Sequence, residues 1–221
     1  MPDVETTNQT ILVVGGGMSG VTAALEAAEA GYDVVLLEKK PYLGGKVAQM
    51  HRYFPKLCPP SCGLEINFRR MRQNPRVRFF TMAEPVALSG REGDYDVKVK
   101  ISPRYVNEKC TACGKCAEVC ETEIPNPFNY GMDNMKAAYL PHPFAFPMRY
   151  VIDRSIVGTE EGRRCKEACI YDAVDLDMTE TTFEIKAGAV VWAAGWESYD
   201  AAAIEYYGFG RYKNVITNVM M

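Results

Sequence analysis

The sequence predicts an α/β fold: a Rossmann-type domain interrupted by a small α+β insertion of ferredoxin-like character. Three observations predict it. A glycine-rich turn, GGGMSG, lies between an apolar run and a helical run near the N-terminus. Four closely spaced cysteines between residues 110 and 120 fall in a stretch without strand or helix periodicity. Strand-like patterning then resumes after residue 178.

The elements follow in order. ILVV (11–14) reads as a short buried strand, and VTAALEAAEAG as a helix of good formers closed by Gly31. YDVVLLE is a second strand, so the opening is a βαβ unit, which requires a parallel, helix-covered sheet. Residues 41–61, rich in Gly and Pro, read as loop, and a helix is expected from about Gly63, with Leu64, Phe68 and Met71 on one face. VRFFTMAEPVALSG and DYDVKVKI alternate like strands about a GREGD turn. From Ser102 to Asp177 cysteines and prolines dominate, and TTFEIKAG and AVVWAAG then return to strand. Residues 1–101 and 178–221 are therefore expected to form one discontinuous domain, and 102–177 an insertion.

Composition narrows the function classes. Of 221 residues, 48% are hydrophobic and 24% charged, ordinary for a folded globular chain, and the net charge of −3 offers no basic field for nucleic acid. The longest apolar stretch, AGAVVWAAGW, is about half a membrane span, so no direct membrane insertion is expected. The start MPDVETTNQT has acids and no apolar h-region, so it is not read as a signal peptide. A cytoplasmic location is expected, with membrane association only through partners. Two histidines, His51 and His142, leave imidazole chemistry few candidates. Eight cysteines in three clusters read as metal ligands or redox centres in a reducing compartment.

Gly15, Gly17 and Gly20 match G-x-G-x-x-G between strand and helix. The first permits the tight turn, the second lets backbone approach a pyrophosphate, and the third allows close helix packing. The N–H groups of Met18 and Ser19 would face the phosphates at the helix start. Glu38, with Lys39 beside it, closes the second strand, where a carboxylate accepts from ribose hydroxyls and disfavours a 2′-phosphate. The plain alternative is a glycine turn in an ordinary α/β protein. KKPYLGGKVA resembles the second glycine pair of the two-dinucleotide-binding flavoproteins, giving Gly44, Gly45 and Lys46 as contacts. AVVWAAGW resembles their apolar strand and A-T-G turn, giving Ala194 (in place of Thr) and Gly195. By the same likeness Val86, in EPVAL, is an adenine contact. FAD is thus expected rather than NAD, with Lys46 a cation beside the flavin that would stabilise its reduced anion.

Cys110-x2-Cys113-x2-Cys116-x3-Cys120 has the spacing of ferredoxin cluster ligands, with Glu121 where Pro is usual. A zinc site of four thiolates is the competing reading. Cys165-x3-Cys169 looks like the end of a second such motif, whose first ligands would fall at Thr159 and Gly162. In two-cluster ferredoxins the fourth cysteine of each run serves the other cluster. One complete set is then Cys110, Cys113, Cys116 and Cys169. The other retains only Cys120 and Cys165. One [4Fe–4S] cluster and a degenerate second site are expected. Cys58 and Cys62, in CPPSC, read as a dithiol exchanging electrons with flavin, as ligands of a further cluster, or as packed thiols. With Lys46 they are the candidate catalytic residues. His51 and Arg52 read as fixed polar contacts.

The segments ILVVGGGMSGVTAALEAAEAGYDVVLLEK, PYLGGKVAQMHRYFPKLCPPSCGLEINFRR, YVNEKCTACGKCAEVC, AAYLPHPFAFPMRYVIDRS and GFGRYKNVITNVMM resemble the HdrA-like flavoproteins. That family includes the A subunit of heterodisulfide reductase, its relatives in sulfur-oxidising bacteria and the A subunit of the Qmo complex. The resemblance implies a thioredoxin-reductase-like FAD domain with an inserted ferredoxin domain. It also implies oxidoreductase activity on sulfur groups and electron transfer among subunits; a homo-oligomer is expected as well. Family members continue to a second Rossmann-like unit and a returning FAD segment. The chain therefore looks like an N-terminal part, with weaker FAD binding expected. Two other functions compete with the electron-transfer reading. One is a self-contained disulfide or pyridine-nucleotide reductase using Cys58 and Cys62; the other is a non-catalytic assembly module.

Overall fold

The computed structural model describes residues 5–221; the first four residues, which open the acidic N-terminal stretch, lie outside the described residues. In chain order the elements are β1 (Ile11–Val14), α1 (Met18–Glu29), β2 (Val34–Glu38), α2 (Gly45–Gln49), α3 (Ser61–Gln73), β3 (Val77–Thr81), β4 (Ala83–Arg91) and β5 (Asp94–Ile101). They continue as α4 (Lys115–Glu118), β6 (Glu123–Pro125), β7 (Asn134–Lys136), β8 (Ala138–Tyr139), β9 (Val151–Ile152), α5 (Glu160–Glu167), β10 (Thr181–Ala187) and β11 (Ala189–Trp192).

A parallel sheet of order β11-β1-β2-β3 forms the centre. Its strands are nearly continuous apolar runs because both faces are covered. Alternation sorts their side chains. Val13 and Leu36 face α1 and α3, meeting Val21, Leu25, Leu64 and Phe68. Leu12, Val35 and Leu37 face the other way, onto Val97, Val99, Phe183 and Ile185 of an antiparallel sheet of order β10-β5-β4. Strands from either side of residues 102–177 thus share both sheets: β10 pairs with β5 and β11 with β1.

Three local readings of the sequence need correction. The stretch 41–61 is not all loop, because Gly44, with φ +111°, turns the chain into α2. The next helix begins at Ser61, two residues before Gly63. Pro60 already has a helical φ of −64°, and proline suits a helix start, where its missing N–H costs nothing. VRFFTMAEPVALSG is two strands in different sheets, divided at Met82, whose φ is +58°.

Residues 102–177 carry a second core of Val106, Cys116, Cys120, Ile152, Cys165 and Val174, with two small hairpins, β6–β7 and β8–β9. Phe146 and Arg104 are among the residues that fasten this lobe to the first core. Phe146 stacks on Phe68 at 4.6 Å and lies 5.1 Å from Phe79, while its carbonyl accepts from the Leu43 N–H at 2.8 Å. Arg104, 6% exposed, donates to the Thr81 hydroxyl at 2.8 Å, to the Arg149 carbonyl at 3.1 Å and to the Pro41 carbonyl. Burial lowers its pKa to about 10, which leaves it cationic at neutral pH. No helix among the described residues is long and apolar enough to cross a membrane.

Candidate functional site

The dinucleotide site is built where β1 meets α1. Gly15, at φ +109°, lies so close to the β11 turn that a Cβ would stand 2.2 Å from the Ala193 carbonyl oxygen. A Cβ on Gly20 would stand 1.8 Å from the Gly15 carbonyl oxygen. These two glycines are therefore demanded by backbone packing. Gly17 differs: the nearest atom to its Cβ position is the Gly45 Cα, at 3.9 Å. It caps α1 with no side-chain hydrogen bond, and no acidic residue stands in the first helical turn. The N–H groups at the start of α1, including those of Met18 and Ser19, thus meet no competing carboxylate there. An anion fits that position.

The second glycine pair packs directly on the first. Gly17 and Gly44 form a parallel bridge, the Gly44 N–H donates to the Gly16 carbonyl at 2.8 Å, and a Cβ on Gly45 would lie 2.9 Å from the Gly17 Cα. Glu38 completes the cradle. Its two oxygens accept from the N–H of Gly16 and of Lys40, each at 2.7 Å, and burial raises its pKa above the usual carboxylate range. Lys46, on α2, places Nζ 4.1 Å from the ring centroid of Trp196, just past Ala194 and Gly195. The structure therefore brings Gly15, Gly17, Gly20, Glu38, Gly44, Gly45, Lys46 and the 193–195 turn together.

Other expected contacts stand apart. The Met18 sulfur turns toward Asn67 on α3, 3.6 Å from its side-chain nitrogen, so only its backbone is offered to a phosphate. The Lys39 side chain is exposed, and Lys40 instead turns inward toward Tyr42 and Gln49. Val86 lies on β4, beside the bulge between Pro85 and Ala87, and is half exposed. Cys58 is partly buried, bridged to Tyr53, and Cys62 lies exposed in the first turn of α3. Gly16, Lys40, Trp196 and Arg104 escaped the sequence reading. Gly16 sits inside the fingerprint, but its role depends on the distant Glu38.

The cysteines of the inserted lobe divide into two environments. Cys110, Cys113, Cys116 and Cys169 line one small cavity, shared with Tyr150 and Val106. Positive φ at Ala112 (+57°) and Gly114 (+87°) curls the loop so that its three thiols converge. The Ala173 N–H donates to the Cys169 sulfur at 3.3 Å. Among the described residues no three His, Cys, Asp or Glu side chains stand close enough together to hold a metal ion. Burial, then the neighbouring thiols, pushes Cys116 up to about 12, so a cationic centre is needed to hold it as thiolate.

Cys120 and Cys165 are placed differently. The Cys165 thiol donates to the Cys116 carbonyl at 3.3 Å, and the Cys120 sulfur accepts from the Ala138 N–H at 3.4 Å. Thr159 Oγ1 caps α5, accepting from the Gly162 N–H at 3.2 Å and donating to the Ile156 carbonyl at 2.7 Å. A Cβ on Gly162 would lie 2.3 Å from that same carbonyl oxygen. The Glu161 carboxylate accepts from the Thr122 hydroxyl and from the Thr122 N–H at 2.7 Å, and these bonds hold its pKa at about 2.

Comparison with known proteins agrees with both halves. Residues 10–57 match the family model described as FAD dependent oxidoreductase, and residues 103–125 match that of the 4Fe-4S binding domain. FAD and a [4Fe–4S] cluster are therefore the cofactors indicated for the two sites. The first of two iron–sulfur A subunits of CoB–CoM heterodisulfide reductase in Methanopyrus kandleri is 39% identical, over 98% of this chain and 32% of its own length. The iron–sulfur A subunit of the Methanocaldococcus jannaschii enzyme is 37% identical over 96% of this chain and 32% of its own. Among solved structures, L-proline dehydrogenase from P. horikoshii overlaps 46% of this chain and 19% of its own, with a TM-score of 0.37 and 19% identity. The chain spans about a third of the length of the relatives it matches in sequence. Along nearly its whole length, then, this chain is similar to about one third of the HdrA proteins, the iron–sulfur A subunits of heterodisulfide reductase.

Proposed function

We propose that this chain is the flavin and iron–sulfur electron-transfer unit of a heterodisulfide-reductase-like oxidoreductase of sulfur metabolism, working with partner subunits. The observation that carries the reading is the convergence of Cys110, Cys113, Cys116 and Cys169 on one cavity, in a lobe fastened to a dinucleotide cradle. FAD supplies two-electron exchange and the cluster single-electron relay. The protein's own part is positional. Backbone N–H groups at the start of α1 hold the pyrophosphate, Glu38 orients the ribose, and Lys46 sets positive charge beside the 193–196 turn. Arg104 and Phe146 hold the ferredoxin-like insertion, residues 102–177, against the loop that carries Gly44 and Gly45.

On this reading one cluster is present. Cys120 and Cys165 are packed thiols beside a network closed by Thr159, Gly162 and Glu161. Residues 1–101 and 178–221 together form the FAD domain. Anaerobic reconstitution with iron, sulfide and FAD tests the reading. We expect flavin absorbance, about four irons per chain and one reduced-cluster EPR signal. Flavin without cluster would favour a simple flavin reductase, and about eight irons would overturn the one-cluster assignment.

A further inference from the structure

A cavity of about 700 Å3 lies between α3 and the 142–148 segment of the insertion, with Ala48 of α2 on its wall. Its volume is that of a small-molecule site. Leu64, Phe68, Phe146 and Pro60 give it an apolar wall, and Arg69 and Arg72 stand on the α3 side. Glu65 shares that wall, so the two arginines leave it net positive. Among the described residues neither Arg69 nor Arg72 is within ion-pair distance of a carboxylate; Arg72 instead stacks over the Phe146 ring at 4.9 Å.

His142 also lines this cavity. It is 9% exposed, and its Nε2 finds no hydrogen-bond partner among the described residues. The ring is fixed: it stacks on Phe128 at 4.5 Å and meets Tyr42 edge-on at 4.9 Å. Native proteins rarely leave a buried polar atom unpaired, so a fixed imidazole with a free nitrogen on a cavity wall points to a missing partner. Burial lowers its pKa to about 4, so at neutral pH it offers a neutral ring nitrogen rather than a charge.

We infer that this cavity binds a small organic anion with a flat, apolar body, whose acid group rests on Arg69 and Arg72 while a polar atom of its ring pairs with His142 Nε2. The residues between the two N-terminal cysteines, Pro59, Pro60 and Ser61, form one edge of the site, so a bound ligand would lie beside the Cys58–Cys62 loop.

The test titrates 8-anilinonaphthalene-1-sulfonate into the anaerobically purified chain carrying its cluster and saturated with FAD, following dye fluorescence and flavin absorbance together. Saturable 1:1 binding is expected. R69Q/R72Q should weaken it at least tenfold while leaving binding of the uncharged N-phenyl-1-naphthylamine within about twofold. H142F should weaken both dyes, and Ser61→Trp, which fills the edge of the cavity from a partly exposed position, should abolish both. Far-ultraviolet dichroism and the cofactor spectra report that each variant is folded. Binding that never saturates, or that all three variants leave unchanged in folded protein, overturns the proposal. So does release of FAD in proportion to dye bound, because the cavity would then belong to the flavin.

Discussion

The thiol of Cys165 donates to the backbone carbonyl of Cys116, 3.3 Å away, so it faces the peptide chain behind the cluster loop rather than the cavity its neighbours line. Two cysteines one helical turn apart, Cys165 and Cys169, therefore have different fates. C165A should keep about four irons per chain and lose only modest stability, on the order of 1 kcal/mol. C169A should lose at least half of its iron. Iron and sulfide analysis with EPR of the reduced protein separates the two.

The glycine fingerprint makes a second prediction, because its members are small for different reasons. A Cβ on Gly20 collides with backbone, whereas one on Gly17 meets nothing nearer than 3.9 Å. G17A should fold normally and bind FAD at least tenfold more weakly, since the added methyl group occupies the cofactor's approach. G20A should fail to accumulate as folded protein. Flavin titration and circular dichroism read the two outcomes.

The attachment of the insertion should be brittle at two residues. F146A removes an aromatic ring from the main core and should cost about 3–5 kcal/mol. R104M leaves the Pro41 and Arg149 carbonyls and the Thr81 hydroxyl without their donor, and a buried acceptor left unmade costs about 1–3 kcal/mol. Both variants should melt lower and admit protease first in the 126–148 segment, which mass spectrometry of the fragments would show.

His142 predicts a pH dependence. Its native pKa is lowered from 6.5 to about 4, so between those values the unfolded chain binds a proton that the native chain does not. Stability therefore falls as pH drops from 6.5 toward 4, by up to about 3 kcal/mol for this residue. The groups facing the ring are Tyr42 and Phe128, with Arg69, Arg72 and Glu65 elsewhere on the cavity wall, and burial alone lowers the imidazole pKa, with no carboxylate paired to the ring. H142F should flatten the decline. Denaturant melts at pH 7.0, 6.0 and 5.0 measure the difference in slope.

Much of this was legible in local sequence. The βαβ opening announces itself because apolar runs of strand length flank a helix of good formers, and the ferredoxin spacing fixes three thiols on one loop by chain geometry alone. Crossed ligation, a rule of connectivity, makes Cys169 rather than Cys120 the expected fourth ligand, and the structure puts Cys169 on the cavity that the other three line. Arg104 and His142 were not legible. Their importance comes from burial against residues far away in the chain, and nothing in PRYV or PHPF records that. The break at Met82 was hidden for a related reason, since VRFFTMAEPVAL alternates well enough to read as one strand. Only the need of Phe79 and Ala83 to join different cores divides it. Lys46 was expected beside the flavin; its contact with Trp196 depends on how the chain's last strand turns back.

The origin of the fourth thiol has a consequence for the life of the protein. Cys110, Cys113 and Cys116 belong to one loop, but Cys169 arrives from beyond α5, so a cluster held by all four is a cross-link closing some fifty residues of chain. Closing so long a loop removes much of the freedom of the unfolded lobe, as a disulfide would. Loss of iron to oxygen would then do more than interrupt a current. It would untie the lobe, uncover its small core and mark the damaged molecule for proteolysis, making the redox centre also the protein's certificate of assembly.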